Sequence, residues 1–320
     1  NQIQSGEKFF LEPVSMKDSI IRAIRYNLDI EIESYDPKIK EFDLMLAKSE
    51  FDPIFTSSTQ FRENKQLTND KFKFTGDWDA GIQKKHLFGG TVGLFYNLDY
   101  ENEQNKDSSW GHGVSLVLTQ PLLQNLGIET NLARIKSAKN NSDKAYYEFK
   151  DKIISVLADV QTAYWNLVNT HASYELQRKS LELTENLYKI TMARIKAGSL
   201  AAADILDVET NLAFKRDSLI IAEKQIYLAE DRLKYLIRPL DIDYYKNVRL
   251  VPTEVPIFTK ISLNFDESLK EAMENRPDLK SLKINLENAD IQVDSNKNGL
   301  LPKLDLSASF GLNGIGEESS

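Results

Sequence analysis

Between Pro121 and Pro239 the chain has no proline and only two glycines, Gly127 and Gly198, and its apolar residues return every three to four positions. Ile153, Val156, Leu157, Val160, Tyr164, Leu167 and Val168 make one stripe, and Leu176, Leu181, Leu183, Leu187, Ile190 and Ile195 carry it on. This period predicts one helix over 128–197, about 105 Å long at 1.5 Å per residue. Gly198 marks its C-terminal end, and Asp204 is placed to cap a returning helix over 204–237, about 50 Å long. The pattern is that of an antiparallel coiled-coil hairpin whose return arm is shorter than its outgoing arm.

Residues 51–120 follow another rhythm. They hold seven of the fourteen glycines and many of the aromatic residues. Phe72, Phe74, Trp78, Ala80 and Ile82 alternate with Lys73, Thr75, Asp77, Asp79 and Gly81. Val92, Leu94, Tyr96, Leu98 and Tyr100 repeat the alternation, as do Trp110, His112, Val114, Leu116 and Leu118. Period two with turn residues between the runs predicts β-strands, and the polar stretch Glu101–Ser109 reads as an exposed loop. Strands of about ten residues with aromatics near their ends suit a membrane barrel. A soluble antiparallel sheet with one wet face alternates in the same way, so the pattern alone leaves both open.

The two zones recur. An offset of 249 holds without a gap from Met16 to Phe61, placing Ser19 on Ser268, Ala23 on Ala272, Asp29 on Asp278, Pro53 on Pro302 and Phe61 on Phe310. Apolar positions follow it, as in Ile20/Leu269 and Phe51/Leu300. A repeat this long is a duplicated half-domain, not a solenoid unit. A second-repeat helix around 278–298 then adds about 30 Å to the short return arm, approaching the length of the long helix.

Composition narrows the function. No stretch of about 18 apolar residues exists, which excludes a membrane-spanning helix and leaves a β-barrel as the one way to cross a bilayer. A net charge of −8 without a basic stripe argues against nucleic acid as a partner. His86, His112 and His171 are scattered and there is no cysteine, so neither a metal site nor a catalytic constellation is expected. No nucleophile elbow, phosphate loop or dinucleotide fingerprint is present. The expectation is a protein that is not an enzyme and needs no cofactor.

Five short motifs stand in a fixed order: Leu118-Thr119-Gln120-Pro121-Leu122-Leu123, Thr162-Ala163-Tyr164-Trp165-Asn166-Leu167, Arg194 to Asp204 (RIKAGSLAAAD), Asn275-Arg276-Pro277-Asp278-Leu279 and Leu301-Pro302-Lys303-Leu304-Asp305-Leu306. In that order they resemble the TolC family of outer-membrane efflux proteins, over nearly the whole chain from about Val14. The resemblance implies a mainly α fold with a β part. Long antiparallel coiled-coil helices form a periplasmic α-barrel joined to an outer-membrane β-barrel, built from two internal repeats of which the second breaks off at Ser320. It divides the chain into first-repeat equatorial and lower helices (14–50), barrel strands (51–120), the long hairpin (121–238) with its tip at 198–204, an equatorial linker (239–264), second-repeat helices (265–299) and the first strand of the second repeat (300–320).

The same resemblance implies a Gram-negative homotrimer with twelve strands and twelve helices, working with a periplasmic adaptor and an inner-membrane pump in efflux or type I secretion. Cargo passes through it without covalent chemistry. Gly198, Ser199, Leu200 and Ala201 fall where the tip docks the adaptor, Asp204 where an acidic residue helps hold the tip closed, and Thr119, Gln120 and Pro121 where a strand runs into the long helix. Each also has a plainer role, as hairpin turn, helix cap or strand end. One departure stands out: 51–120 offers up to four alternating stretches where the family needs two, so either two strands are long and bent or an extra hairpin is present. The competing functional readings are a periplasmic adaptor, which also pairs a coiled-coil hairpin with β-structure, and a soluble coiled-coil interaction protein.

Overall fold

A computed structural model of the protein describes residues 10–66, 71–103, 107–237, 247–258, 260 and 264–317. In chain order the elements are β1 (Phe10–Val14), α1 (Met16–Tyr26), α2 (Leu28–Glu33), α3 (Asp36–Lys48), β2 (Ile54–Gln66), β3 (Lys71–Lys85), β4 (Thr91–Glu103), β5 (Ser109–Pro121), α4 (Ile128–Lys196), α5 (Ile205–Ile237), β6 (Val248–Pro252), α6 (Phe265–Asn275), α7 (Pro277–Gly299) and β7 (Asp305–Glu317). They belong to two units, one of residues 1–36 and 147–278, the other of residues 37–146 and 279–320. Among the described residues no helix is long and apolar enough to cross a membrane.

The first unit is built on the α4–α5 hairpin. Val156, Val160, Ala163, Tyr164 and Leu167 of α4 lie on one stripe, and Ile226, Ala229, Leu233, Leu236 and Ile237 of α5 meet them in a single apolar core. The stripe has coiled-coil spacing, which is why two helices with weak overall amphipathicity find one register. β1 and β6 pair in parallel, Phe10 opposite Val248 and Val14 opposite Pro252, and close the core with Val14 and Leu250. Ser15 caps α1 by accepting the Asp18 amide. Asn27 caps α2 through the amides of Asp29 and Ile30 (3.0 and 3.2 Å) while donating to the Leu236 carbonyl (2.9 Å), so one buried side chain satisfies groups on two helices.

The second unit holds a five-stranded sheet in the order β2-β3-β4-β5-β7, antiparallel throughout. The four stretches within 51–120 are therefore four separate strands of 13 to 15 residues. The extra hairpin is present, and long bent strands are not. The predicted loop Glu101–Ser109 is shorter than expected, because β4 continues to Glu103 and β5 begins at Ser109. In the same unit α7 runs with the first part of α4, where Asn288 bonds Asn140 (3.1 Å) and Asn141 (2.9 Å).

Other expectations shift at their ends. The long helix closes at Lys196, and the return helix opens at Ile205 behind a 3-10 turn, Ala202–Asp204. Part of the predicted linker 239–264 lies outside the described residues, and Val248–Pro252 within it is strand, not linker. α6 covers the eleven positions that lie 249 after those of α1, with Asn264 capping it as Ser15 caps α1.

Candidate functional site

Register across the sheet sorts its side chains onto two faces. One face carries Phe55 and Phe61 of β2, Phe74, Trp78 and Ile82 of β3, Leu94, Tyr96, Leu98 and Tyr100 of β4, Trp110, Val114, Leu116 and Leu118 of β5, and Leu306, Phe310 and Leu312 of β7. The other carries Ser58, Asp77, Asp79, Asn97, Asp99, Ser115, Ser307 and Asn313 among mostly polar and small residues. Even in the central strands the apolar side chains stay open: Ile82 is 48%, Leu94 49% and Leu116 49% exposed. A soluble sheet buries such a face against a second layer, and no described element covers this one.

Aromatic residues concentrate at the end of the apolar face away from the α4 junction. Phe61 stacks on Phe74 (centroids 6.1 Å apart), Phe74 meets Tyr100 edge-on (6.1 Å) and Tyr100 lies 4.6 Å from Trp110, one row across β2 to β5. Aromatic rows bordering an apolar band are a feature of membrane β-barrel strands. On the polar face Phe95 lies flat over Gly81 and Gly93, where an added Cβ would fall 2.3 and 2.5 Å from its ring. Glycine at both positions lets this ring fold down onto the sheet.

The strand-to-helix exit brings the predicted Thr119, Gln120 and Pro121 together with residues that sequence reasoning missed. Thr119 pairs with Thr91 and Ser307, and Pro121 ends β5 opposite Asp305. Gln120 Nε2 donates to the carbonyls of Phe88 (3.3 Å) and Pro121 (2.9 Å). Beyond Pro121 the chain stays bonded to the segment before β7: the Leu122 amide reaches the Leu304 carbonyl (2.8 Å) and the Asn125 amide reaches Asn298 Oδ1 (2.8 Å). Asn125 has φ 64 and Gly127 φ 105, so the corner turns through two left-handed residues before α4 starts. Asn131 Nδ2 then holds the carbonyls of Asn125 and Gly127, each at 2.8 Å.

The β3–β4 turn, 86–90, is locked into this corner. His86 N–H donates to Gly90 O (2.9 Å), and the Gly127 amide donates to Phe88 O (3.3 Å). Gly89 has φ 95, and a Cβ there would lie 2.3 Å from the Asn125 carbonyl. Glu50 ties down the nearby end of β3 through Lys85 (2.6 Å) and also meets Arg134 of α4 (3.6 Å). The dipeptide Gly89-Gly90 and the run Asn125-Leu126-Gly127 were the available signals, since both favour left-handed backbone.

The tip residues Gly198, Ser199, Leu200, Ala201 and Asp204 come together at the turn of the hairpin. The Gly198 amide bonds the Ile195 carbonyl and the Ser199 amide bonds the Arg194 carbonyl, both at 2.9 Å, with Gly198 at φ 73. This is a Schellman end, and open space surrounds Gly198, so glycine is required for its backbone alone. Asp204 is not the cap expected of it. It sits third in the 3-10 turn, its amide bonded to the Ala201 carbonyl (3.1 Å), and the capping position belongs to Ala201. Gly198, Ser199, Ala201 and Asp204 are exposed and Leu200 is half-buried.

A buried ionic cluster in the first unit also escaped prediction. Glu230 and Lys234, one turn apart on α5 and 2% and 1% exposed, lie 3.5 Å apart. Lys234 Nζ donates to the Val248 carbonyl (2.6 Å), and Arg249 reaches Glu230 (3.3 Å) while its guanidinium lies 3.9 Å from the Tyr227 ring centre. Tyr164 donates to the Val14 carbonyl (3.3 Å), and burial pushes its phenol above the ordinary value. Two open cavities, about 420 Å3 beside Asp43, Arg134 and Asn288 and about 530 Å3 beside Asp151, Glu271 and Arg276, gather no catalytic constellation. Among the described residues no group of side chains is arranged to hold a metal ion.

Residues 89–237 match the family model described as outer membrane efflux protein. No curated protein matches the chain. Among solved structures the chain is similar to the CmeC outer membrane channel of Campylobacter jejuni (15% identity, TM-score 0.66, covering 95% of this chain and 61% of that one). It is similar also to the outer-membrane channel OprN (16%, TM-score 0.67, covering 95% and 63%) and to the outer membrane protein VceC of Vibrio cholerae (14%, TM-score 0.63, covering 95% and 67%). The chain thus spans about three fifths to two thirds of the length of these proteins, and at such identities the likeness is one of fold.

Proposed function

We propose that this chain, whose residues 89–237 match the outer membrane efflux protein family, is a TolC-like channel protein and forms one protomer of a homotrimeric export channel. Its strands join a barrel in the outer membrane of a Gram-negative cell, and its long helices join a periplasmic tube. The carrying observation is the sheet with one exposed apolar face, rimmed by aromatic rings, and one polar face. Lipid satisfies the first and a water-filled lumen the second. The α4–α5 hairpin asks for neighbours in the same way, because Leu176, Leu183, Phe214 and Ile220 point outward and are more than three-fifths exposed. Packed side by side around a threefold axis, such hairpins bury one another's outer faces.

In this assembly α1 and α6 are counterparts in two repeats, each leading through a longer helical stretch to a strand. Gly198, Ser199, Leu200 and Ala201 form the surface that meets a periplasmic adaptor, which links the channel to an inner-membrane pump. Asp204 supplies a negative charge near the tip axis. Thr119, Gln120 and Pro121 set the angle at which barrel becomes tube. Transport is passive, in tripartite efflux or type I secretion, and needs no catalytic group.

The test is the mass and shape of the full-length protein, extracted from outer membranes in mild detergent and followed by light scattering and electron imaging. A trimeric tube well over 100 Å long is expected. A monomer that stays soluble without detergent overturns the proposal and returns the adaptor reading.

A further inference from the structure

We infer that each protomer places an even number of strands, no fewer than six, in the barrel, so that the trimer's wall holds eighteen strands or a higher multiple of six instead of twelve. This rests on the trimeric channel proposed above. It follows from strand direction: every neighbouring pair in the order β2-β3-β4-β5-β7 is antiparallel, so β2, β4 and β7 run one way and β3 and β5 the other. β2 and β7 are the two edges of the sheet. Threefold closure pairs one edge of a protomer with the opposite edge of the next. With these five strands alone that seam would join β7 to β2 in parallel, three times around an otherwise antiparallel wall. One more strand running as β3 and β5 run, between β7 and the next protomer's β2, makes every seam antiparallel and brings the number per protomer to six.

The count depends on β3 and β4 lying in the wall and not beside it, and four observations place them there. Both are bonded along nearly their whole length on both sides, Lys73 to Lys85 of β3 opposite Glu103 to Thr91 of β4. Their apolar side chains continue the exposed face of β5, and the aromatic row from Phe61 to Trp110 passes through Phe74 and Tyr100 without a gap. Their turn is fastened to the strand-to-helix corner through Phe88 and the close approach of Gly89 to Asn125. Each has 13 to 15 residues, more than the roughly 9 to 11 that a tilted strand needs to cross a bilayer. Removing the hairpin would leave β2 and β5 running antiparallel and able to pair directly. The two strands therefore enlarge the wall without changing its directions. Because diameter grows roughly linearly with strand number, eighteen strands give a wall about 1.5 times as wide as twelve.

The deciding experiment is electron imaging of the full-length protein in lipid nanodiscs, with strands counted in the cross-section of the membrane zone. Eighteen, or a higher multiple of six, is expected. Twelve strands, or fifteen with three parallel seams, overturns the inference and leaves the trimeric channel standing. Absence of a trimeric barrel overturns both. A second reading does not need the count. Residues 1–320 contain no cysteine, so single cysteines can be introduced by Ile82→Cys, Gln83→Cys, Leu94→Cys and Asn97→Cys in an otherwise cysteine-free full-length protein. Fluorophores at 82 and 94 should be quenched by lipid-borne nitroxides several-fold more than those at 83 and 97. Equal quenching at all four puts the hairpin outside the wall and overturns the inference.

Discussion

Gly89 and Gly198 both adopt left-handed backbone, yet their surroundings differ. At Gly198 nothing lies within 4 Å of an added Cβ, whereas at Gly89 the Asn125 carbonyl lies 2.3 Å from it. Gly198→Ala should therefore carry only the backbone penalty, about 1 kcal/mol. Gly89→Ala adds a clash with backbone that is itself bonded to Asn131, and it should destabilise by more, about 2–3 kcal/mol. Thermal unfolding of the two purified variants checks the ranking, and equal losses would contradict it. Tyr164 offers a test by pH. Burial raises its phenol, so the folded state holds the proton more tightly than the unfolded chain. Its contribution is complete below the unfolded phenol value and is lost as pH rises through the folded one. Stability should fall above about pH 10, and Tyr164→Phe should make that fall shallower while removing about 1 kcal/mol at neutral pH with the Val14 hydrogen bond. Unfolding midpoints taken from pH 8 to 11 for both proteins decide it.

At the scale of elements, α5 and β6 are joined through Glu230, Lys234 and Arg249, and this cluster predicts an asymmetry. Glu230→Ala takes the Glu230 carboxylate away from the buried Lys234 ammonium, 3.5 Å from it, and should cost about 3–5 kcal/mol. Replacing both Glu230 and Lys234 by methionine removes the buried ammonium together with the carboxylate and should recover most of that loss, as thermal unfolding followed by helical circular dichroism would show. A double variant as unstable as the single one would mean that the cluster holds β6 through Lys234 and Val248 instead. None of this was legible beforehand, because a glutamate and a lysine four apart read the same on a wet face and in a core. The helices were legible almost to the residue, since the stretch from Pro121 to Pro239 contains little that breaks a helix. The strands were legible as alternation, but not their number, because period two survives both a bend and a turn. Only the three antiparallel ladders that pair β2 with β3, β3 with β4 and β4 with β5 make four strands of them. The β1–β6 pair was invisible: five residues each, parallel, and joined across most of the chain. Asp204 was misread because a 3-10 turn entering α5 moved the capping position three residues back, to Ala201.

At the scale of the whole molecule the question left open by the sequence was which side of the sheet is wet. Alternation is identical in a soluble sheet and a barrel wall, so the difference lies in what covers the apolar face across all five strands at once. β5 is the place to test it, because it is paired on both sides and neighbouring residues point to opposite faces. Leu116 stands on the apolar face opposite Leu94 and Phe310, and Ser115 on the polar face opposite Phe95 and Gly311. If the apolar face meets lipid, Leu116→Arg puts a charge near the middle of the bilayer and should cost about 2–4 kcal/mol, while Ser115→Arg projects into water and changes only the lumen. The full-length variants should then separate sharply. The Ser115 variant assembles in the outer membrane with the heat-dependent gel mobility of a folded barrel, and the Leu116 variant is found there in much smaller amount. Equal assembly would mean that the apolar face is covered by protein, since a charge beside an adaptable protein surface can turn toward solvent but one in the hydrocarbon cannot. The reverse ranking would put water on the aromatic side and overturn the assignment of that face to lipid.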